Sequence, residues 1–250
     1  MLTQLFAVTP TELLLIWAVT LGAALLRAFT GFGFALAAVP VYAFFLTPAQ
    51  AVVLSASLAL GIGVQTYPQY AGKVRFKERW PLFLTAMLGT AVGVSLLQQL
   101  AINDFRLAIG LVTIAASLVL TRFHPRRRQA GPGLQSAAGL GSGLINGAFA
   151  IPGPPIIIYT MATESDPARS RAFMVGFFSF SSACALLGYA WAGMVSWQSL
   201  GLFVLAYPAI FVGDKLGYRF FLRHGGKHYR RIAIATCLII GISITLRALF

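Results

Sequence analysis

The residues of this chain that could bind a ligand are hydroxyl, amide and guanidinium groups inside or beside apolar segments. They are Arg27, Thr30, Ser55, Ser57, Gln65, Thr66, Asn146, Ser179, Ser181 and Ser182. All of them can donate hydrogen bonds, and one carries a positive charge. This set of donors favours a negatively charged ligand.

Acidic residues are few, and the apolar pattern places each of the six at the end of a segment: Glu12, Glu78, Asp104, Glu164, Asp166 and Asp214. Cation sites and proton relays in membranes usually need carboxylates within the membrane. The pattern therefore argues against a cation carrier and against a hydrolase with a carboxylate or histidine dyad. No metal site or cofactor is expected.

Two interrupted apolar stretches bring these donors to one place. The sequence GFGFALAAVP at 31–40 is similar to GLINGAFAIP at 143–152, and in this alignment Gly31 corresponds to Gly143 and Pro40 to Pro152. A broken membrane helix leaves free backbone groups at mid-membrane depth, and its N-terminus favours anions. We expect the ligand site there, at Arg27, Gly31, Phe32, Gly33, Ser57, Gln65, Asn146, Gly147, Pro152 and Gly153.

Composition identifies the class of protein. Of 250 residues 58% are hydrophobic and 10% are charged, whereas charged residues make up about 25% of a soluble domain. The net charge of +13 lies in short clusters between apolar runs, which is typical of cytoplasmic loops rather than of a nucleic-acid surface. Cys184 and Cys237 lie inside apolar runs and are expected to be free thiols. The first apolar run lacks a basic stretch before it and is interpreted as a retained helix.

The apolar segments divide into two sets of five. They lie at 11–29, 33–46, 49–68, 80–98 and 104–121, and then at 134–150, 153–162, 170–190, 198–214 and 230–249. A membrane span needs about 20 residues, so 33–46 and 153–162 are expected to be half-helices or re-entrant pieces. Thr47 and Asp166 each precede a proline and are expected to cap the third segment of their half. The sequence predicts an all-α polytopic membrane protein with a first repeat at 1–121, a basic linker at 122–133 and a second repeat at 134–250.

The basic residues predict opposite orientations for the two repeats. The loop 73–79 has four basic residues and its counterpart 194–199 has none, whereas 98–103 has none and its counterpart 215–231 has six. If basic loops face the cytoplasm, equivalent loops lie on opposite sides of the membrane. The repeats are then inverted, and both termini lie outside.

Simpler readings of the same residues stay open. Gly139, Gly143 and Gly147, like Gly89 and Gly93, have the spacing by which membrane helices pack closely. Arg27 can reach the cytoplasmic interface instead of a substrate, and serines in membrane helices often bond only to their own backbone. Gln65 and Asn146 need partners, because an unpaired amide in hydrocarbon is costly.

The sequence resembles the TauE/SafE family of sulfite exporters. The resemblance is carried by Gly31-Phe32-Gly33-Phe34 running to Val39-Pro40, by Ile151-Pro152-Gly153-Pro154-Pro155, and by Ala71-Gly72-Lys73-Val74. It implies export, or sometimes uptake, of sulfur-containing anions such as sulfite, thiosulfate or organosulfonates across a bacterial inner membrane. It implies the two motif regions as the site, but no role for an individual residue.

The function expected from these observations is a carrier for a small sulfur-containing anion, working by alternating access. Its partners are that anion and the lipid bilayer. An anion channel, or an uptake permease for another small anion, is the alternative, and a membrane enzyme is disfavoured. Because no carboxylate is expected inside the membrane, proton coupling through the substrate and movement down the anion gradient both stay open.

Overall fold

The computed structural model describes residues 9–30, 33–72, 76–122, 129, 131–224 and 227–249. These residues contain ten helices of nine residues or more: α1 Pro10–Thr30, α2 Phe34–Tyr42, α3 Pro48–Gln65, α4 Trp80–Gln99, α5 Ile102–Arg122, α6 Pro132–Phe149, α7 Gly153–Thr163, α8 Pro167–Trp191, α9 Trp197–His224 and α10 Lys227–Leu249. Short helical turns at Tyr67–Tyr70 and Phe76–Arg79 join α3 to α4. The described ranges contain no strand, and the predicted all-α membrane fold is confirmed.

In the part of the chain that the structure describes, six stretches of helix are long and apolar enough to cross a membrane: Pro10–Arg27, Pro48–Gln65, Lys77–Gln99, Ile102–Arg122, Ala168–Trp191 and Trp197–Gly217. The short segments expected from the sequence are α2, with 9 residues, and α7, with 11. At 1.5 Å per residue these helices are about 14 and 17 Å long, roughly half of a 30 Å hydrocarbon core.

The helices that follow the half-helices begin where their caps predict. Thr47 forms a capping box with Gln50: its Oγ1 accepts from the Gln50 N–H at 3.3 Å, and Gln50 Oε1 accepts from the Thr47 N–H at 3.0 Å. Asp166 Oδ1 accepts from the Ala168 N–H at 2.9 Å at the start of α8. Both predicted N-caps are confirmed, and each satisfies a backbone donor that the first helical turn leaves free.

The direction of neighbouring helices follows from their contacts. Trp17 Nε1 of α1 donates to the Leu205 carbonyl of α9 at 2.8 Å, and further along both helices Arg27 contacts Asp214. Helices α1 and α9 therefore run parallel. In contrast, α5 and α10 run antiparallel, because Gly110 lies against Thr245 and Ile114 against Gly241.

Helices α4 and α6 also run parallel, and glycines let their backbones touch. A Cβ on Gly139 would stand 2.2 Å from the Leu82 carbonyl oxygen, one on Gly143 2.2 Å from that of Ala86, and one on Gly147 2.1 Å from that of Thr90. Gly89 and Gly93 of α4 face Leu140 and Leu144 of α6 in the same way. The close-packing reading of these glycines describes what the structure shows.

Two details differ from the sequence-based expectation. Pro40 lies inside α2 and Pro152 is the N-cap of α7, while Gly143 is in the middle of α6, so the stretches 31–40 and 143–152 do not occupy equivalent places. The similarity of apolar sequence, glycine and proline was misleading about register, whereas the caps Thr47 and Asp166 do hold equivalent places. The second detail concerns the segment expected at 198–214, which was to end at Asp214. Helix α9 continues ten residues beyond Asp214, so the charged extension is helical although it is not apolar.

Candidate functional site

The N-termini of the two half-helices meet at one partly open cavity of about 60 Å³. Five helices and the α6–α7 break line it: Arg27 of α1; Gly33, Phe34, Ala35 and Leu36 at the start of α2; Ala59, Ile62 and Gly63 of α3; Ala150, Ile151 and Pro152 of the break with Gly153, Pro154 and Ile157 of α7; and Val175, Phe178, Ser179 and Ser182 of α8. No acidic side chain is among these described residues.

The start of α2 supplies backbone donors to the cavity. Gly33 is its N-cap with a φ of 99°, a conformation that glycine adopts without strain. The Gly33 carbonyl accepts from the Ala37 N–H at 3.1 Å, so Ala37 begins the intrahelical bonding. The N–H groups of Phe34, Ala35 and Leu36 precede it and have no intrahelical acceptor. Together with the helix dipole they make this end of the cavity suitable for an anion.

The start of α7 differs, because Pro154 and Pro155 have no N–H. Ser142 Oγ of α6 donates to the carbonyl of the N-cap Pro152 at 2.6 Å. Ala150, which ends α6, has a φ of 56°, and is the single positive-φ residue other than glycine in the described ranges. This half of the cavity is mostly apolar, so an anion's charge is better placed at the α2 end.

Contacts at both ends of the α6–α7 hairpin place the break at mid-depth. Near the start of α6, Gln135 Nε2 donates to the Glu78 carbonyl at 3.4 Å, and just after α7, Glu164 pairs with Arg79 at 3.5 Å. Both ends of the hairpin thus lie on the same face of the molecule. Ser142, which contacts Pro152, is about 15 Å along α6 from its start, which is roughly half the hydrocarbon thickness.

Helix α8 contributes the hydroxyls of the cavity. Ser179 Oγ donates to the Val175 carbonyl of its own helix at 2.8 Å, and a Cβ on Gly63 would stand 2.2 Å from that oxygen. Ser182 is 3% exposed and lines the cavity, and no hydrogen bond of its hydroxyl is seen among the described residues. The Ser182 hydroxyl is therefore available to a ligand.

Arg27 is the charged side chain of the cavity lining. Its Nη1 lies 2.5 Å from Asp214 Oδ1 of α9, and the two side chains are 16% and 17% exposed. Arg171 of α8 is close enough to Arg27 to repel it electrostatically. The Arg27 guanidinium thus lines the cavity and is held by a carboxylate of α9.

The residues predicted for the site are only partly brought together. Arg27, Gly33, Pro152 and Gly153 line the cavity. Gly31 and Phe32 lie outside the described residues. Ser57, Gln65, Asn146 and Gly147 are not part of the cavity lining, and Gly147 lies in the contact between α4 and α6.

Asn146 is held by a polar network behind the break. Its Nδ2 donates to the Ser181 carbonyl at 2.8 Å and to Thr90 Oγ1 at 3.3 Å. The Tyr189 hydroxyl in turn bonds to the carbonyls of Asn146 and Gly147, each at 3.0 Å. The amide that the sequence left open between substrate and backbone therefore has protein partners. The Asn146 carbonyl also accepts from the Ala150 N–H at 2.7 Å, and the Tyr189 hydroxyl adds a shared donor for the carbonyls of Asn146 and Gly147.

Replacement of Asn146 by leucine is expected to lower the melting temperature and the yield of folded protein. The change leaves the Ser181 carbonyl without its amide donor in a buried place, which costs about 1–3 kcal/mol. Thermal unfolding of the purified variant measures the effect.

Gln65→Leu provides the comparison. Gln65 Oε1 is buried without a hydrogen-bond partner among the described residues, so its removal should leave the melting temperature unchanged or raise it. Folded Asn146→Leu protein should bind anions normally, and selective loss of binding with unchanged stability would instead make Asn146 a ligand contact.

Sequence reasoning did not identify all of the cavity. It named Ser179 and Ser182 among the possible donors, and the second motif region includes Ile151, but it missed Phe178 and Ile157 of the apolar wall and the partner of Arg27. The sequence of an apolar helix does not mark which of its side chains face a cavity. Asp214 did have a signal, because helix-forming sequence continues for ten residues or more on both sides of this carboxylate. In the described ranges no group of three or more His, Cys, Asp and Glu side chains could hold a metal ion.

Comparison with known proteins places the chain among membrane transporters. The family described as "Sulfite exporter TauE/SafE" matches residues 16–244. The chain is 26% identical over 178 residues to a protein of Cupriavidus necator named "Probable sulfite/organosulfonate exporter TauE", which covers 68% of this chain and 70% of that protein. The search of solved structures found no match.

Proposed function

Because the chain belongs to the TauE/SafE family of sulfite exporters, we propose that it exports a small sulfur-containing anion by alternating access. Sulfite, thiosulfate and organosulfonates are the substrates considered. The single observation that supports this most is the shared cavity between the N-termini of α2 and α7. The protein is a multi-pass membrane protein, consistent with the inner membrane of a bacterium.

The chemistry of the cavity supports an anionic substrate. Three free N–H groups at the start of α2, the Ser182 hydroxyl and the Arg27 guanidinium can all donate hydrogen bonds to oxygen atoms. The apolar wall beside the prolines of α7 leaves room for a small organic group. Sulfonate and sulfite oxygens suit these donors, and the wall suits the carbon substituent of a sulfonate.

An inverted repeat would provide the two states that alternating access needs, and we propose the halves 1–121 and 134–250 joined by the linker 122–133. The helix contacts support this division. In this division α1 is equivalent to α6, α4 to α9 and α5 to α10. Exchanging the halves therefore converts the parallel pair α1–α9 into the parallel pair α6–α4, and it converts the antiparallel pair α5–α10 into itself. The half-helices α2 and α7 would then be the equivalent elements that rock around the cavity.

Cysteine labelling tests the proposed orientation. Cysteines introduced at Gln99 and Ser196 are expected to react with a membrane-impermeant maleimide added to intact cells, because their loops lack basic residues. A cysteine at Lys77, in a basic loop, should react only after permeabilisation. Residues 99, 196 and 77 are all exposed, so burial does not explain a difference. Labelling of 77 and 99 alike in intact cells would contradict the inverted orientation.

Thermal unfolding with a panel of anions tests the substrate class. A ligand that binds only the folded state at about 100 times its Kd stabilises it by about 2.7 kcal/mol, which raises the melting temperature by several degrees. Sulfite, thiosulfate or ethanesulfonate should do so, and chloride at equal ionic strength should not. Equal shifts with every anion would argue against a selective site.

A further inference from the structure

The Arg27 side chain lines the cavity and also forms the ion pair with Asp214. Its Nη1 contacts Asp214 Oδ1 at 2.5 Å, and Asp214 itself is not among the cavity-lining residues. The carboxylate thus holds the cavity's guanidinium from the α9 side. An anion that enters the cavity therefore finds Arg27 already paired with Asp214.

The surroundings of the pair make its charges costly to separate. Both side chains are more than four-fifths buried, and α9 packs against α1 and α3. Helix α3 carries no charged residue and α1 carries only Glu12, near its other end, besides Arg27. On α9 itself, Lys215 lies over the Phe211 ring at 4.1 Å and Arg219 follows about one turn later. Among the residues whose side chains the structure describes, Arg171 of α8 is a further charged group near Arg27.

We propose that the substrate anion and the Asp214 carboxylate compete for Arg27, and that Asp214 takes up a proton from water when the anion replaces it. This inference rests on the proposed function. The charges balance: the ion pair, one monovalent anion and one proton become an Arg27–anion pair and a neutral Asp214 carboxyl group. Without the proton, the Asp214 carboxylate would have lost its Arg27 partner in a mostly buried place, and breaking a buried ion pair is costly.

The consequence is coupling of the anion to a proton through the protein. Proton uptake follows from Asp214 and does not require a substrate that changes its own protonation. The carboxylate also excludes anions when none of sufficient affinity is present, which keeps Arg27 from binding water or chloride. Asp214 is therefore a positioning residue, and its partner Arg27 is the cation that binds the substrate.

Calorimetric titration of the purified full chain with ethanesulfonate tests the proposal, since the charge of this probe is fixed near neutral pH. Titrations in buffers of different ionisation enthalpy give the number of protons bound with each anion. We expect an uptake approaching one proton for the wild type. Asp214→Asn should bind ethanesulfonate about tenfold or more tightly, because its competitor is gone, and should take up no proton.

Two further variants keep the result interpretable. Glu12→Gln, which neutralises the carboxylate at the far end of α1, should retain the proton uptake of the wild type. Asp214→Glu, which keeps the carboxylate if the asparagine variant does not fold, should retain it as well. Ethanesulfonate binding to the wild type without proton uptake, or unchanged uptake in Asp214→Asn, would overturn the proposal while leaving the proposed function standing. Failure of ethanesulfonate, sulfite and thiosulfate alike to bind the wild type would instead contradict the proposed function.

Discussion

Gly143→Ala is expected to prevent the protein from reaching its folded state. The new Cβ would stand 2.2 Å from the Ala86 carbonyl oxygen and 2.8 Å from the Thr90 nitrogen of α4. Both are backbone atoms, so no side-chain rotation can relieve the contact, and α4 and α6 would have to separate along their length. Overpacking of cores that can partly adjust costs about 1–3 kcal/mol, and a contact between two backbones exceeds that range.

Gly141→Ala is the matched control, two residues earlier on the same helix. Its Cβ would meet only Pro155, at 3.7 Å, which is an ordinary contact. Helix propensity favours alanine over glycine by about 1 kcal/mol, so this variant should be as stable as the wild type or more so. Yield of monodisperse protein and melting temperature are measured for both. Similar behaviour of the two variants would mean that α4 and α6 do not pack as described.

Ser182→Asp is expected to abolish anion binding without unfolding the protein. The side chain is 3% exposed and lines the cavity, so the new carboxylate would place a negative charge where the substrate's charge belongs. Like charges at about 4 Å repel by about 4 kcal/mol at an effective dielectric constant of 20, which corresponds to roughly a thousandfold loss of affinity.

Ser182→Asn has nearly the same shape as the aspartate variant but no charge, and it separates repulsion from size. Its affinity for ethanesulfonate should fall by no more than about tenfold, the value of one hydrogen bond to a charged group. Binding is measured by calorimetry on protein that elutes as a single species. Equal losses in the aspartate and asparagine variants would favour a steric effect, and normal binding by Ser182→Asp would remove Ser182 from the site.

The broken segments were the most predictable part of this protein. Glycine and proline interrupt apolar runs for local reasons that a sequence displays. Helices α2, Phe34–Tyr42, and α7, Gly153–Thr163, fall on the segments expected at 33–46 and 153–162, and α2 ends four residues before its expected segment does. Thr47 and Asp166 were equally readable, because a cap acts on its own helix. Register between the halves was not readable, since Pro40 and Pro152 look alike in sequence although one lies within a helix and the other begins one.

Side chains in the site were harder to assign. The sequence shows that a polar side chain in an apolar segment needs a hydrogen-bond partner, but it does not show which group is that partner. Asn146 was expected to contact the ligand, with a backbone carbonyl as the alternative partner, and its amide donates to the Ser181 carbonyl of α8. Ser182 carried no more signal than its neighbour Ser181, yet it faces the cavity. Asp214 was placed at the end of its apolar segment, because the charged residues that follow it conceal the continuation of α9.

The most direct test of the central claim is counterflow in liposomes that contain the purified protein. Liposomes preloaded with unlabelled ethanesulfonate or sulfite should transiently concentrate the labelled anion from outside, because a carrier exchanges the two through one alternating site. Ser182→Asp liposomes should show none of this uptake. Uptake by the wild type that never exceeds equilibrium and does not saturate would identify a channel, and absence of uptake of either anion would contradict the account of an anion carrier.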